Sequence, residues 1–178
     1  MKSEKIFPNF TLKEMLSTST GLPNCPETWE QLENLQRLAR FLQCVRNIYG
    51  KPIIVNSAFR SKAVNEKASG VKSSYHLKGL AADIRGTDAK GNAELLGILK
   101  RNISQIDQLI AYRSVTSKRI RFIHVGLPEA GKKPRMRYRP GMLNKLETRS
   151  NNHVKEAFGR DTGCPGHPYN CRLSAAEQ

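Results

Sequence analysis

Apolar positions along the chain follow a helical period first and then gather into short strand-like runs. Thr11-Leu12-Lys13-Glu14 forms a capping box, in which the Thr11 hydroxyl accepts from the Glu14 backbone N–H, so a short helix follows. Gly21, Pro23 and Pro26 then break the chain. From about Glu27 to Tyr49, the residues Trp29, Leu32, Leu35, Ala39, Leu42 and Val45 recur at spacings of three and four. That is one apolar face of a long helix, with Gly50 as its stop. Residues 52–57, PIIVNS, read as a strand, and residues 58–75 as a polar stretch with a helical turn near Val64. Leu80–Arg85 predicts a second strand, Asn92–Arg101 a helix with Leu95, Leu96 and Leu99 inward, and Gln108–Tyr112 and Arg121–Val125 two further strands. After Pro128 the periodicity fades. The pattern predicts an α+β domain over residues 1–130, with helices packed on a small, mostly antiparallel sheet. A basic C-terminal extension, ordered in part, is expected over residues 131–178.

Composition narrows the classes. A chain of 178 residues with 38% hydrophobic content can build one packed core. No run approaches the ~20 apolar residues of a membrane helix. The opening MKSEKIFPNF has no apolar stretch of the secretory kind, which predicts a protein kept in the cytoplasm or released by a route that needs no signal. Lys and Arg number 30 against 15 acids, a net charge of +15 that favours anionic partners. The densest run, Lys132 to Arg139, reads as a solvated segment. Without a signal the four cysteines are expected as free thiols, with Cys44 a buried small hydrophobe. Cys164, His167 and Cys171 lie close together, but a fourth metal ligand is missing and prolines and glycine surround them, so a loop is expected there.

The chemistry-bearing stretch is Ser74 to Asp83, SYHLKGLAAD. His76 and Asp83 are about two turns, or ~10 Å, apart on a straight helix, too far to share one ion at ligand distances of ~2.0–2.2 Å. They can share one if a loop carries His76 and the chain turns through Gly79 into a strand that bears Asp83. A third ligand is offered by His124, inside the apolar strand Phe122-Ile123-His124-Val125-Gly126 and on the same face as Gly126. Two histidines and one carboxylate, with a position left for water, form a catalytic rather than a structural zinc set.

Ser74-x-His76-x-x-Gly79-x-Ala81-x-Asp83 resembles the S-x-H-x-x-G-x-A-x-D signature of the M15 zinc peptidases, which include D-Ala-D-Ala carboxypeptidases and phage L-alanyl-D-glutamate endolysins. Phe122-Ile123-His124-Val125 is similar to the segment that carries the family's second histidine. Ser57-Ala58-Phe59-Arg60-Ser61 with Asn65 resembles the stretch before the first ligand, and Phe10 to Leu35 the helical entry of one subgroup. The resemblance implies zinc on His76, Asp83 and His124, and it implies Arg60 as the group that holds a substrate carboxylate or the developing oxyanion. Ser57 and Ser74 are implied as braces.

One departure is plain: the family's general base has no clear counterpart. Three residues before His124 stands Arg121, and the end of the preceding strand offers only Ala111 or Tyr112. Of the acids left nearby, Asp107 and Glu129, Asp107 at the head of the strand Gln108-Leu109-Ile110 is the expected base. The resemblance implies a zinc peptidase of peptidoglycan stem peptides or cross-links, plausible as a phage lysis enzyme that reaches the wall after release, with anionic envelope polymers as further partners. The competing reading is a non-catalytic zinc protein on the same fold that binds wall or nucleic acid; no RNA-binding or zinc-finger motif supports nucleic acid.

Overall fold

In the computed structural model, which describes residues 5–143, the long amphipathic helix is α2 (Trp29–Tyr49). Its start is fixed by Thr28 and Gln31, each side chain accepting from the other's backbone N–H. Its end is fixed by Gly50, whose φ of 68° an L side chain rarely adopts. Leu35, Leu38, Ala39, Leu42 and Val45 form the buried stripe. Trp29 was expected on that stripe and is 52% exposed: it stands at the first helical position, with its indole N–H on Glu33 one turn on, at 2.9 Å. Cys44 falls outside the stripe too and is an exposed free thiol, whereas Cys25 is disulfide-bonded, against the expectation of free thiols. Cys164, His167 and Cys171 lie outside the described residues.

A small hairpin, β1 (Lys5–Phe7) and β2 (Phe10–Thr11), leads into α1 (Leu12–Met15), capped by Thr11 as expected, and buries Phe10 and Met15. The main sheet has the order β3-β4-β6-β5-β7, from β3 (Ile54–Ser57), β4 (Ala81–Arg85), β5 (Gln108–Ser114), β6 (Ile120–Gly126) and β7 (Arg137–Leu143). The first three pairings are antiparallel and β5–β7 is parallel. Two further helices, α3 (Lys62–Lys67) and α4 (Ala89–Arg101), complete the frame, so the α+β expectation holds. Ala82, Ile84, Leu109, Ala111, Ile123 and Val125 are buried to 0% exposure on one face of the sheet, in one core with the stripes of α2 and α4. By strand alternation the opposite face carries Asp83, His124, Ile110 and Gln108.

β7 lies beyond residue 130, so a boundary placed there on apolar periodicity cuts through the sheet. The strand is held by backbone pairing at an edge, with Arg137, Arg139 and Pro140 exposed and Tyr138 packed against the core. Such a strand leaves no apolar alternation to read. Just before it, Arg135 pairs with Asp107, itself only 2% exposed. A chain ending at Gly131 therefore strips a buried carboxylate of its cation and bares the edge of β5. It is expected to melt at a lower temperature than a chain ending at residue 143, by calorimetry; equal melting temperatures would mean that β7 adds nothing to stability.

Candidate metal centre

A chain of small capping devices builds the site. Asn24, 6% exposed, donates to the carbonyls of Leu16 and Phe59 and accepts from the Ser61 N–H, which clamps the turn after β3. Ser61 caps α3. Ser74 caps a single 3-10 turn, Tyr75–Lys78, its hydroxyl accepting from the His76 N–H at 3.3 Å. The long helix holds this turn from below: Gln31 and Asn34 donate to the carbonyls of Leu77 and Lys78 at 2.9 and 3.0 Å. Gly79 then takes a φ of 71° and the chain enters β4, which places Asp83 directly opposite His124. The turn thus removes the separation that a straight helix would impose.

Three donor atoms converge. His76 Nε2 lies 3.2 Å from His124 Nδ1 and 3.4 Å from Asp83 Oδ1, and His124 Nδ1 lies 2.9 Å from Asp83 Oδ1. Ligands at zinc distances in a tetrahedral shell stand about 3.3–3.5 Å apart. Each outer atom is occupied. His76 Nδ1–H donates to the Ala58 carbonyl at 2.6 Å, which leaves Nε2 with a bare lone pair. His124 Nε2 faces Gln108 Oε1 at 3.2 Å, which assigns its proton there and bares Nδ1. Asp83 Oδ2 accepts from Arg60 Nη2 at 2.5 Å. Three lone pairs aimed at one point repel unless a cation or proton sits between them, so this donor set fits a metal ion.

The electrostatics agree. Burial drives the His76 imidazole down and keeps it neutral near pH 7, only partly opposed by Asp83. Burial pushes the Asp83 carboxyl up, yet the imidazoles that face it, His76 foremost, set it well below the usual carboxylate range wherever they carry a proton, so Asp83 is a carboxylate near pH 7. Both are in the protonation state that metal binding needs. The His76 side chain is 3% exposed, whereas Asp83 and His124 keep 12% and 11% open to solvent. Ligands sealed on one side and open on the other are the arrangement of a site that admits a reactant.

The sequence-expected residues divide. His76, Asp83 and His124 meet, and among the described residues they are the one His/Cys/Asp/Glu group that could hold a metal. Arg60 adjoins them, with Nε on the Ser57 hydroxyl at 2.9 Å and Nη2 on Asp83. Asp107 is not in the group. Its oxygens accept from the Arg135 backbone N–H, Nε and Nη2, and although burial alone would raise its carboxyl, these bonds hold it below the ordinary range. Glu129 accepts from Lys132 and Lys78.

Gln108, Tyr75 and the Ala58 carbonyl escaped the sequence reading. Gln108 follows Asp107 directly, and only the register that sets it opposite Gly126, two residues past His124, exposes its role. Replacing Gln108 with Leu removes the acceptor that orients the His124 ring. Zinc affinity is expected to fall about 10–100-fold, measured by competition with a chromophoric chelator. An unchanged affinity would mean that the strand alone orients the ring.

The family model described as Peptidase M15 matches residues 8–126, the span from β2 to the end of β6 and hence every donor of the cluster. No curated protein matches the chain.

Proposed function

Because the chain belongs to the M15 peptidases, we propose that it hydrolyses peptide bonds of bacterial peptidoglycan with zinc held by His76, Asp83 and His124, and that it serves a phage in lysis. The observation that carries this reading is the convergence of three bare donor atoms whose outer partners are all in place. Bound there, zinc lowers the pKa of a water toward ~7 and polarises the scissile carbonyl. The chain's own residues do the rest. Arg60 has Nε committed to Ser57 and Nη2 to Asp83, which holds the guanidinium beside the cluster and keeps Nη1 as its donor for a carbonyl oxygen that gains charge. At Gly126 a Cβ would lie 3.2 Å from the Tyr75 ring and 3.3 Å from Gln108, so glycine lets these two side chains close in beside His124.

In this reading Asp107 braces Arg135 rather than accepting the proton of the attacking water, because Arg135 already occupies both its oxygens. Among the described residues no second carboxylate joins the cluster. That observation supports the alternative, a zinc protein that holds wall peptide without turnover. The net charge of +15 supports docking on anionic envelope polymers in either case. Among the described residues no helix is long and apolar enough to cross a membrane, and we place the action at the wall after release from the producing cell.

Digestion of purified peptidoglycan, with mass spectrometry of the new termini, tests the proposal. Cleavage that a chelator abolishes and zinc restores is the expected outcome, and the termini identify the bond. Absence of any new terminus with a zinc-loaded chain would leave the non-catalytic reading.

A further inference from the structure

The basic run Lys132 to Arg139 does not stand apart from the site, and its members differ in what holds them. Lys132 pairs with Glu129, which also accepts from Lys78. Arg135 is bound to Asp107 and donates to the Tyr75 hydroxyl at 2.9 Å. Of the arginines in the run, Arg137 and Arg139 remain. Both are exposed, and among the described residues no ion pair involves either guanidinium.

Register decides which way they face. One row across the sheet reads Asp83, His124, Ile110, Arg139; the next reads Ala81, Gly126, Gln108, Arg137. Directly paired residues share a face, so both arginines rise from the face that carries the metal ligands, in the two rows that contain His124 and Gly126. Tyr138 between them turns the other way, into contact with the core, with Lys100 over its ring at 4.1 Å, and this fixes the rotation of the strand. β7 stands two strand spacings from β6, roughly 10 Å. Between them lie only Ile110 and Gln108, both half-buried, so the cluster and the two guanidiniums bound a floor the width of about three extended residues.

We infer that Arg137 and Arg139 form a carboxylate-binding subsite of the substrate cleft, which takes a carboxylate of the peptide within about three residues of the scissile bond. The inference rests on the peptide-hydrolase reading above. A guanidinium presents two parallel N–H donors to a carboxylate, and two of them one row apart suit a group whose position along the strand varies. Arg60 is committed to Ser57 and Asp83, so it is the less available cation for this task. The subsite lies past residue 126, outside the span that the family model matches.

The test uses the full-length, zinc-loaded chain and its Arg137→Gln/Arg139→Gln variant, with the single variants as a check should the double variant melt early. Three peptides share one scissile bond: one with a free terminal carboxylate, one with that terminus amidated, and one amidated but carrying an acidic side chain. The double variant is expected to lose about 10–100-fold in kcat/KM, mainly through KM, on a carboxylate-bearing peptide and to stay within about twofold on the fully amidated one. Whichever carboxylate responds is the source that the subsite reads. A Lys90→Gln/Arg101→Gln control, of equal charge change on α4 behind the opposite face of the sheet, is expected to alter nothing. Equal losses on all three peptides, or no loss, would overturn the inference. A loss confined to intact peptidoglycan would overturn it in favour of a polymer-docking face. Should the wild type cleave none of the peptides, the proposed function fails, and calorimetric binding of the carboxylate peptides decides this inference separately: weaker binding by the double variant supports it, and equal or absent binding to both proteins overturns it.

Discussion

A His76→Ala chain is expected to lose tightly bound zinc and at least about 10³-fold of its peptide hydrolysis. The ligand atom removed, Nε2, stands 3.2 Å and 3.4 Å from the other two donors, so its loss opens the cluster on its sealed side. Two donors then remain of three. A metal contributes several kcal/mol to the stabilisation of transition-state charge, and each 1.36 kcal/mol is a factor of ten in rate. Metal content by elemental analysis after gel filtration is the direct readout, with metal-free melting temperatures of both chains to separate metal loss from unfolding. Wild-type zinc content in the variant would remove His76 from the ligand set.

Gly79→Ala is expected to destabilise the fold by about 2–5 kcal/mol, the sum of a left-handed backbone penalty of ~1–2 and an overpacking cost of ~1–3 kcal/mol. Gly79 has a φ of 71°, and a Cβ there would meet the Gln31 carbonyl oxygen at 2.6 Å and Leu35 at 3.1 Å. Neither neighbour can yield easily, because one is helix backbone and the other a 1% exposed core residue. The same turn sets the path from His76 into β4, so any alanine chain that folds is expected to bind zinc more weakly as well. Urea unfolding gives the stability change and chelator competition the affinity. A variant as stable as the wild type would show that the turn can relax into another conformation without cost.

Most of the frame was legible because it rests on local rules. The capping pair of Thr28 and Gln31, the stripe from Leu35 to Val45 and the stop at Gly50 can be read residue by residue, since a helix satisfies its own backbone. Strands β4, β5 and β6 are short apolar runs that lie close to where the pattern placed them. β7 was not legible. Its pairing with β5 satisfies the backbone, while Arg137, Arg139 and Pro140 are exposed, so its pattern resembles that of a solvated segment. Trp29 was misplaced because periodicity defines a stripe but not where along a helix the core ends, and Cys44 because it lies off the stripe altogether.

At the site, the order and spacing of His76, Gly79, Asp83 and His124 by themselves determined which residues could share an ion, because donor chemistry and the reach of a glycine turn are properties of residue type. Tertiary structure alone decided which atoms face that point. The Ala58 carbonyl, 18 positions from His76, selects Nε2, and Gln108, 16 positions from His124, selects Nδ1. It also turned Asp107 from an expected base into the partner of Arg135, 28 positions on. Each of these is a hydrogen bond between segments brought together by strand register, and register is set by the packing of a whole face of the sheet rather than by any spacing along the chain.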